Sequence, residues 1–152
     1  TRLHREYLRT YNETRLRTRF VFSFYQKLCP ITKERSISMA IIKSEHIDAE
    51  KRFGGSGTIH IQKLLSPAEL DGKCAMYARV TIPPHASMGV HKHESNTETY
   101  HILSGRARYN DNGTEIEIGP GTTTFCADGE VHAIANASDT EDLVFMALII
   151  NK

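Results

Sequence analysis

Gly89-Val90-His91-Lys92-His93-Glu94-Ser95-Asn96-Thr97-Glu98 is the stretch on which the reading of this chain turns. On a β-strand, side chains two positions apart share a face, so His91 and His93 present two imidazoles side by side while Lys92 points away. A polar turn follows, and Glu98 opens the next strand where its carboxylate can reach the same interior. A single strand histidine is ordinarily a core or surface group. Three metal-binding residue types on one inferred face within eight positions outweigh that reading. A distant segment, Gly129-Glu130-Val131-His132, offers a third imidazole, which taken alone stays undecided. Two or three imidazoles with one carboxylate suit Mn, Fe, Ni, Co or Zn, with positions left open to water or substrate. No thiolate accompanies them, which argues against a closed structural zinc site.

The flanking sequence is strand-rich. Thr58–Leu64, Ala75–Ile82, Val90–His93, Glu98–Leu103, Arg106–Asn110, Thr114–Ile118, Thr122–Cys126, Val131–Asn136 and Leu143–Ile150 are β-branched, aromatic or alternating at period two. Between them Pro83-Pro84, Gly119-Pro120-Gly121 and Asp128-Gly129 break the chain, and Asn112-Gly113 predicts a tight hairpin. Ser66-Pro67-Ala68-Glu69-Leu70 predicts one short helical turn, with Ser66 as N-cap, Pro67 at the first position and Glu69 closing a capping box. The pattern is that of an all-β sandwich or barrel.

At 152 residues there is room for one full-sized domain, which excludes two-domain dehydrogenases and kinases. A net charge of +1 invites neither nucleic acid nor an anionic membrane, and no apolar run is long enough to span one. The neutral total conceals an asymmetry. Residues 1–38 hold nine basic groups against three acidic, and residues 39–152 hold ten against fifteen. A basic extension, 1–38, is therefore expected to precede a folded unit, 39–152, whose first strand opens at Ala40-Ile41-Ile42. Within the extension, Phe20–Tyr25 could add one edge strand. Cys29, Cys74 and Cys126 are odd in number and unpaired in spacing, which points to a reducing, cytoplasmic setting.

These residues resemble the two motifs of the cupin superfamily, and the chain is similar to small single-domain members of the cupin-2 type. His91, His93, Glu98 and Gly105 fall on the first motif, and Gly121, Gly129, His132 and Asn136 on the second. Two positions depart: His85 stands where the first motif has glycine and Ala127 where the second has proline. The resemblance implies a double-stranded β-helix, or jelly roll, with a divalent transition metal held by His91, His93, Glu98 and His132. It says less about function, because one fold hosts many chemistries.

Two functions are expected to compete. One is a mononuclear metalloenzyme, of dioxygenase or decarboxylase type, acting on a small oxygen-rich carboxylate or diketone-like substrate. Its candidate catalytic residues are Tyr100, which shares the parity of Glu98, Arg79, which could grip a carboxylate bidentately, and Glu94 at the mouth. The other is a metal-dependent module that binds a small molecule without turning it over. A homodimer is expected, with Met39–Ile42 and Leu143–Ile150 supplying apolar surface.

Overall fold

The computed structural model describes residues 41–152. The basic extension and its Phe20–Tyr25 run lie outside the described residues, as do Met39 and Ala40.

Among the described residues, ten strands form two antiparallel sheets. They are β1 (Glu45–Glu50), β2 (Thr58–Lys63), β3 (Cys74–Ile82), β4 (Ser87–Lys92), β5 (Asn96–Ser104), β6 (Ala107–Asp111), β7 (Thr114–Ile118), β8 (Thr123–Cys126), β9 (Val131–Asn136) and β10 (Leu143–Asn151). The six-stranded sheet runs β1-β2-β3-β10-β5-β8 and the four-stranded sheet β4-β9-β6-β7. Among the described residues there is one α-helix, α1 (Pro67–Leu70), which starts as its sequence requires: Ser66 accepts from the backbone of Ala68, and Glu69 accepts from the Ser66 backbone N–H. The β6–β7 hairpin turns through Asn112 and Gly113, both at positive φ (48° and 95°), as expected for this dipeptide.

The strands alternate because each sheet has one wet face. Ala78, Val80 and Ile82 of β3, Tyr100 and Ile102 of β5, Phe145 and Ala147 of β10, and Tyr109 and Ile134 of the facing sheet meet in one core. At the start of β10 the alternation lapses: Leu143, Val144 and Phe145 are all buried. This strand lies between β3 and β5, pairing with both along its length.

The first strand lies further along than expected. Ile41 is 98% exposed and residues 41–44 are irregular, whereas Glu45–Glu50 pairs with β2. Only Ile47 and Ala49 turn inward, directly opposite Ile61 and Ile59. An edge strand with a solvated face carries too little apolar signal to stand out.

Both motif departures keep the turn. His85 takes the left-handed conformation that glycine favours (φ 63°), its carbonyl accepting from the Ser56 hydroxyl at 2.8 Å. Ala127 donates its N–H to the Glu130 carboxylate at 2.7 Å, a bond proline could not make. Asn136 is a buried clasp: its amide donates to the carbonyls of Ile82 (2.9 Å) and Glu141 (2.7 Å), and its oxygen accepts from Ser138 N–H (2.8 Å).

Candidate metal centre

His91 in β4 and His132 in β9 are direct cross-strand partners. His93 lies just beyond the end of β4, but its backbone stays tied to the β8–β9 turn, donating to Glu130 O at 3.1 Å and accepting from Gly129 N–H at 2.8 Å. Glu98 shares its inward parity on β5 with Tyr100 and Ile102. The two sheets thus bring all four side chains together: one donor atom from each lies within 4.8 Å of every other.

The inner atoms are His91, His93 and His132 Nε2 and Glu98 Oε2. His132 Nε2 stands 3.0 Å from each of the other two Nε2 atoms and 3.0 Å from the carboxylate oxygen. Glu98 Oε2 is 3.1 Å from His93 Nε2 and 3.5 Å from His91 Nε2. The outer nitrogens are engaged elsewhere. His91 Nδ1 lies 3.0 Å from Gly89 O, His93 Nδ1 lies 2.6 Å from Asn96 Oδ1, and His132 Nδ1 lies 2.9 Å from the Tyr109 hydroxyl. A carbonyl oxygen only accepts, so Nδ1 of His91 and of His93 carries a proton, which in the neutral form of each ring leaves Nε2 as the inward lone pair. The Tyr109 oxygen can accept from His132 in the same way.

Three lone pairs and a carboxylate oxygen aimed at one point repel unless a cation lies between them. A shared proton would reconcile one pair; a metal ion reconciles all four. Ligands about 2.1 Å from a metal and about 90° apart are separated by about 3.0 Å, which is the spacing His132 keeps from its three neighbours. Nitrogen and oxygen donors without sulfur suit a divalent first-row metal.

Burial shapes the electrostatics. Burial alone would raise the Glu98 carboxyl, yet the facing His132, His91 and Tyr100 overcome it and hold the group at about 2. Burial pulls His132 below the usual imidazole range against the pull of Glu98, favouring the neutral ring that a ligand must be. Burial and the Glu98 charge push Tyr100 well above an ordinary phenol, so it stays a neutral hydroxyl.

A cavity of about 220 Å³ opens beside the cluster. One wall is apolar, from Ile61, Met76, Val80, Met88, Ala147 and Ile149; the rest is His91, His93, Glu98, Tyr100, Asn96, Lys92, Arg52 and Phe53. Tyr100 is brought to the cluster, stacked on His132 with ring centroids 4.9 Å apart, its hydroxyl 3.6 Å from Met88 Sδ. Arg79 and Glu94 are not. Arg79 lies between the inward-facing Ala78 and Val80, so it projects from the outer face of β3, near Thr81 Oγ1 at 3.4 Å. Glu94 is exposed and accepts from Lys92 Nζ at 3.0 Å. Sequence reasoning missed Asn96 and Tyr109, which orient the imidazoles, and Arg52 and Phe53, which reach the cavity from the β1–β2 connection. The polarity of Asn96 just before Glu98 was the one available signal.

Comparison with known proteins agrees with this geometry. A family model described as a cupin domain matches residues 78–149. An oxalate-binding protein of Thermotoga maritima is 38% identical over 113 residues, covering 72% of this chain and 93% of that protein. An uncharacterized protein of Methanocaldococcus jannaschii is 30% identical over 100 residues, 66% of this chain and 79% of that protein. A crystal structure from Thermotoga maritima, described as a predicted oxalate decarboxylase, superposes with a TM-score of 0.70 at 34% identity, covering 74% of this chain and all of that one.

Proposed function

This chain belongs to the cupin family, and from that premise we propose that it holds one divalent transition metal on His91, His93, Glu98 and His132 and uses it to bind a small carboxylate, oxalate first among those to test. The observation that carries the reading is the inward convergence of three imidazole nitrogens and one carboxylate oxygen, each outer imidazole nitrogen being matched to an oxygen. The name of the Thermotoga relative supplies the choice of ligand. When bound, the metal supplies Lewis acidity and open positions for ligand oxygens.

The chain's own residues supply the rest. Gly89, Asn96 and Tyr109 fix the rings, while Val80, Met88 and Ala147 keep one side of the cavity dry. Capture is placed first because the relative that supplies the ligand is named for binding. Decarboxylation would further require a proton for the carbon that carbon dioxide leaves. Turnover is the second reading, and it rests on Tyr100, whose hydroxyl is buried beside Glu98.

Elemental analysis of protein purified without added metal, followed by calorimetric titration with oxalate before and after chelation, tests the first reading. Saturable binding that chelation abolishes is expected, without formate release or oxygen uptake. Absence of binding by fully metallated protein refutes it, and catalytic formate release transfers the case to the second reading.

Pairing of two copies belongs to the same proposal. Tyr77, Leu148, Thr99 and Phe125 are successive cross-strand partners on the outer face of the six-stranded sheet, and Tyr77 and Phe125 are exposed there. Light scattering at micromolar concentration tests it. A cytoplasmic setting is likewise proposed, in keeping with the free thiols of Cys74 and Cys126.

A further inference from the structure

The connection from β1 to β2 takes an unusual path over the cavity. Lys51 and Phe53 both adopt left-handed backbone (φ 46° and 53°), a region that side-chain-bearing L residues rarely occupy and that an aromatic residue enters only when its surroundings require it. The turn is pinned by Lys51 N–H to Gly57 O at 2.8 Å and Gly54 N–H to Lys51 O at 2.9 Å. It also lies flat against β4: a Cβ on Gly89 would stand 2.2 Å from Phe53 O, and one on Gly55 would stand 2.2 Å from Ser87 O.

This path lays the Phe53 ring on the His91 imidazole, with centroids 4.2 Å apart and planes 15° from parallel. The Arg52 guanidinium lies over the same phenyl ring, 4.3 Å from its centroid. Imidazole, phenyl and guanidinium therefore form a stack of three at the cavity rim.

The other polar groups of the lining are occupied. Asn96 serves His93, Tyr100 faces Met88 and Glu98, and Lys92 is paired with Glu94. Arg52 lines the cavity and forms no salt bridge to a carboxylate among the described residues. Its planar fork of N–H donors matches two carboxylate oxygens at once.

We infer that Arg52, held in place by the stack of Phe53 on His91, is the specificity-determining residue of this cavity, gripping the oxygens of a metal-bound dicarboxylate that point away from the metal. The inference rests on the proposed function. A chelated oxalate turns two oxygens outward, where the neighbouring wall is apolar and Arg52 supplies the matching charge and donors. An acetate presents no such pair, so the arm selects dicarboxylates over monocarboxylates.

The test is calorimetric titration of metal-loaded full-length chain with oxalate and with acetate at constant ionic strength, with metal content measured alongside. It compares wild type, Arg52→Gln, Arg52→Lys and Phe53→Gly. Arg52→Gln should retain its metal and lose about tenfold or more in oxalate affinity, while acetate changes by less than about twofold. Arg52→Lys, which keeps the charge but not the fork, should fall between. Phe53→Gly suits the left-handed backbone and removes the stack, and should weaken oxalate by about threefold or more although Arg52 is intact. If Arg52→Gln binds oxalate within twofold of wild type, the inference is overturned and the proposed function stands. If metallated wild type binds neither anion, both fall.

Discussion

Replacing Asn96 by alanine tests whether the imidazoles are aimed by their outer hydrogen bonds. His93 is 5% exposed, and its Nδ1 lies 2.6 Å from Asn96 Oδ1. Removing the amide leaves a nearly buried N–H without its acceptor and frees the ring to rotate away from the common point. A hydrogen bond to a group that becomes electron-poor on ligating a cation contributes about 1.5–3 kcal/mol, corresponding to roughly 10–100-fold in metal affinity. Asn96→Asp should keep or raise the affinity, because a carboxylate is the stronger acceptor for the same Nδ1–H. Competition against a chromophoric chelator, run on both variants and wild type at one pH, measures the difference. Metal affinity of Asn96→Ala within twofold of wild type would refute the reasoning, and so would equal losses in both variants.

Three further outcomes are expected. His85→Gly should raise stability by about 1 kcal/mol in urea unfolding, since glycine relieves the left-handed strain at φ 63° and any loss of the weak 3.7 Å approach to Asp139 is minor at the surface. Asn136→Ala should cost about 3 kcal/mol in chelator-treated protein, because it removes three buried or partly buried bonds worth about 1 kcal/mol each. Stability of the metal-free protein should fall with acid: Glu98 at about 2 and His132 below the imidazole range both sit lower folded than unfolded, so the unfolded chain takes up more protons. The His132 loss begins below about pH 6.5 and the Glu98 loss below about pH 4.5. Urea titrations between pH 7 and pH 3 check this, and a flat profile would contradict it.

The metal-ligand candidates were legible because the period-two alternation of two successive strands converges on them. Strand alternation puts His91 and His93 on one face, and the same alternation places Glu98 with Tyr100 inside and His101 outside, where His101 meets Thr123 at 2.9 Å. His132 needed a second signal because its partner, His91, is 41 positions away. Arg79 shows parity at work, for Ala78, Val80 and Ile82 already assign it to the outer face. Glu94 is a different case: a turn has no parity, and its partner Lys92 is settled only once the backbone is in place. The Arg52–Phe53 arm and strand β1 were illegible for a shared reason. Both are defined by long-range contacts, Phe53 with His91 and Ile47 with Ile61, that leave no period in the sequence around them.

The central place of β10 bears on how the chain is made. Synthesis runs from the N-terminus, so all four converging side chains, on β4, β5, β9 and the turn after β4, emerge before residues 143–151. Until that segment leaves the ribosome, β3 and β5 each present an open edge with half its backbone bonds unmade, and the buried side of the nascent sheet has no Phe145 or Ala147 to close it. Completion of the barrel must therefore wait for release of its last strand. A nascent chain stalled short of β10 should be the species that chaperones bind and proteases cut, however early its histidines are in reach of a metal.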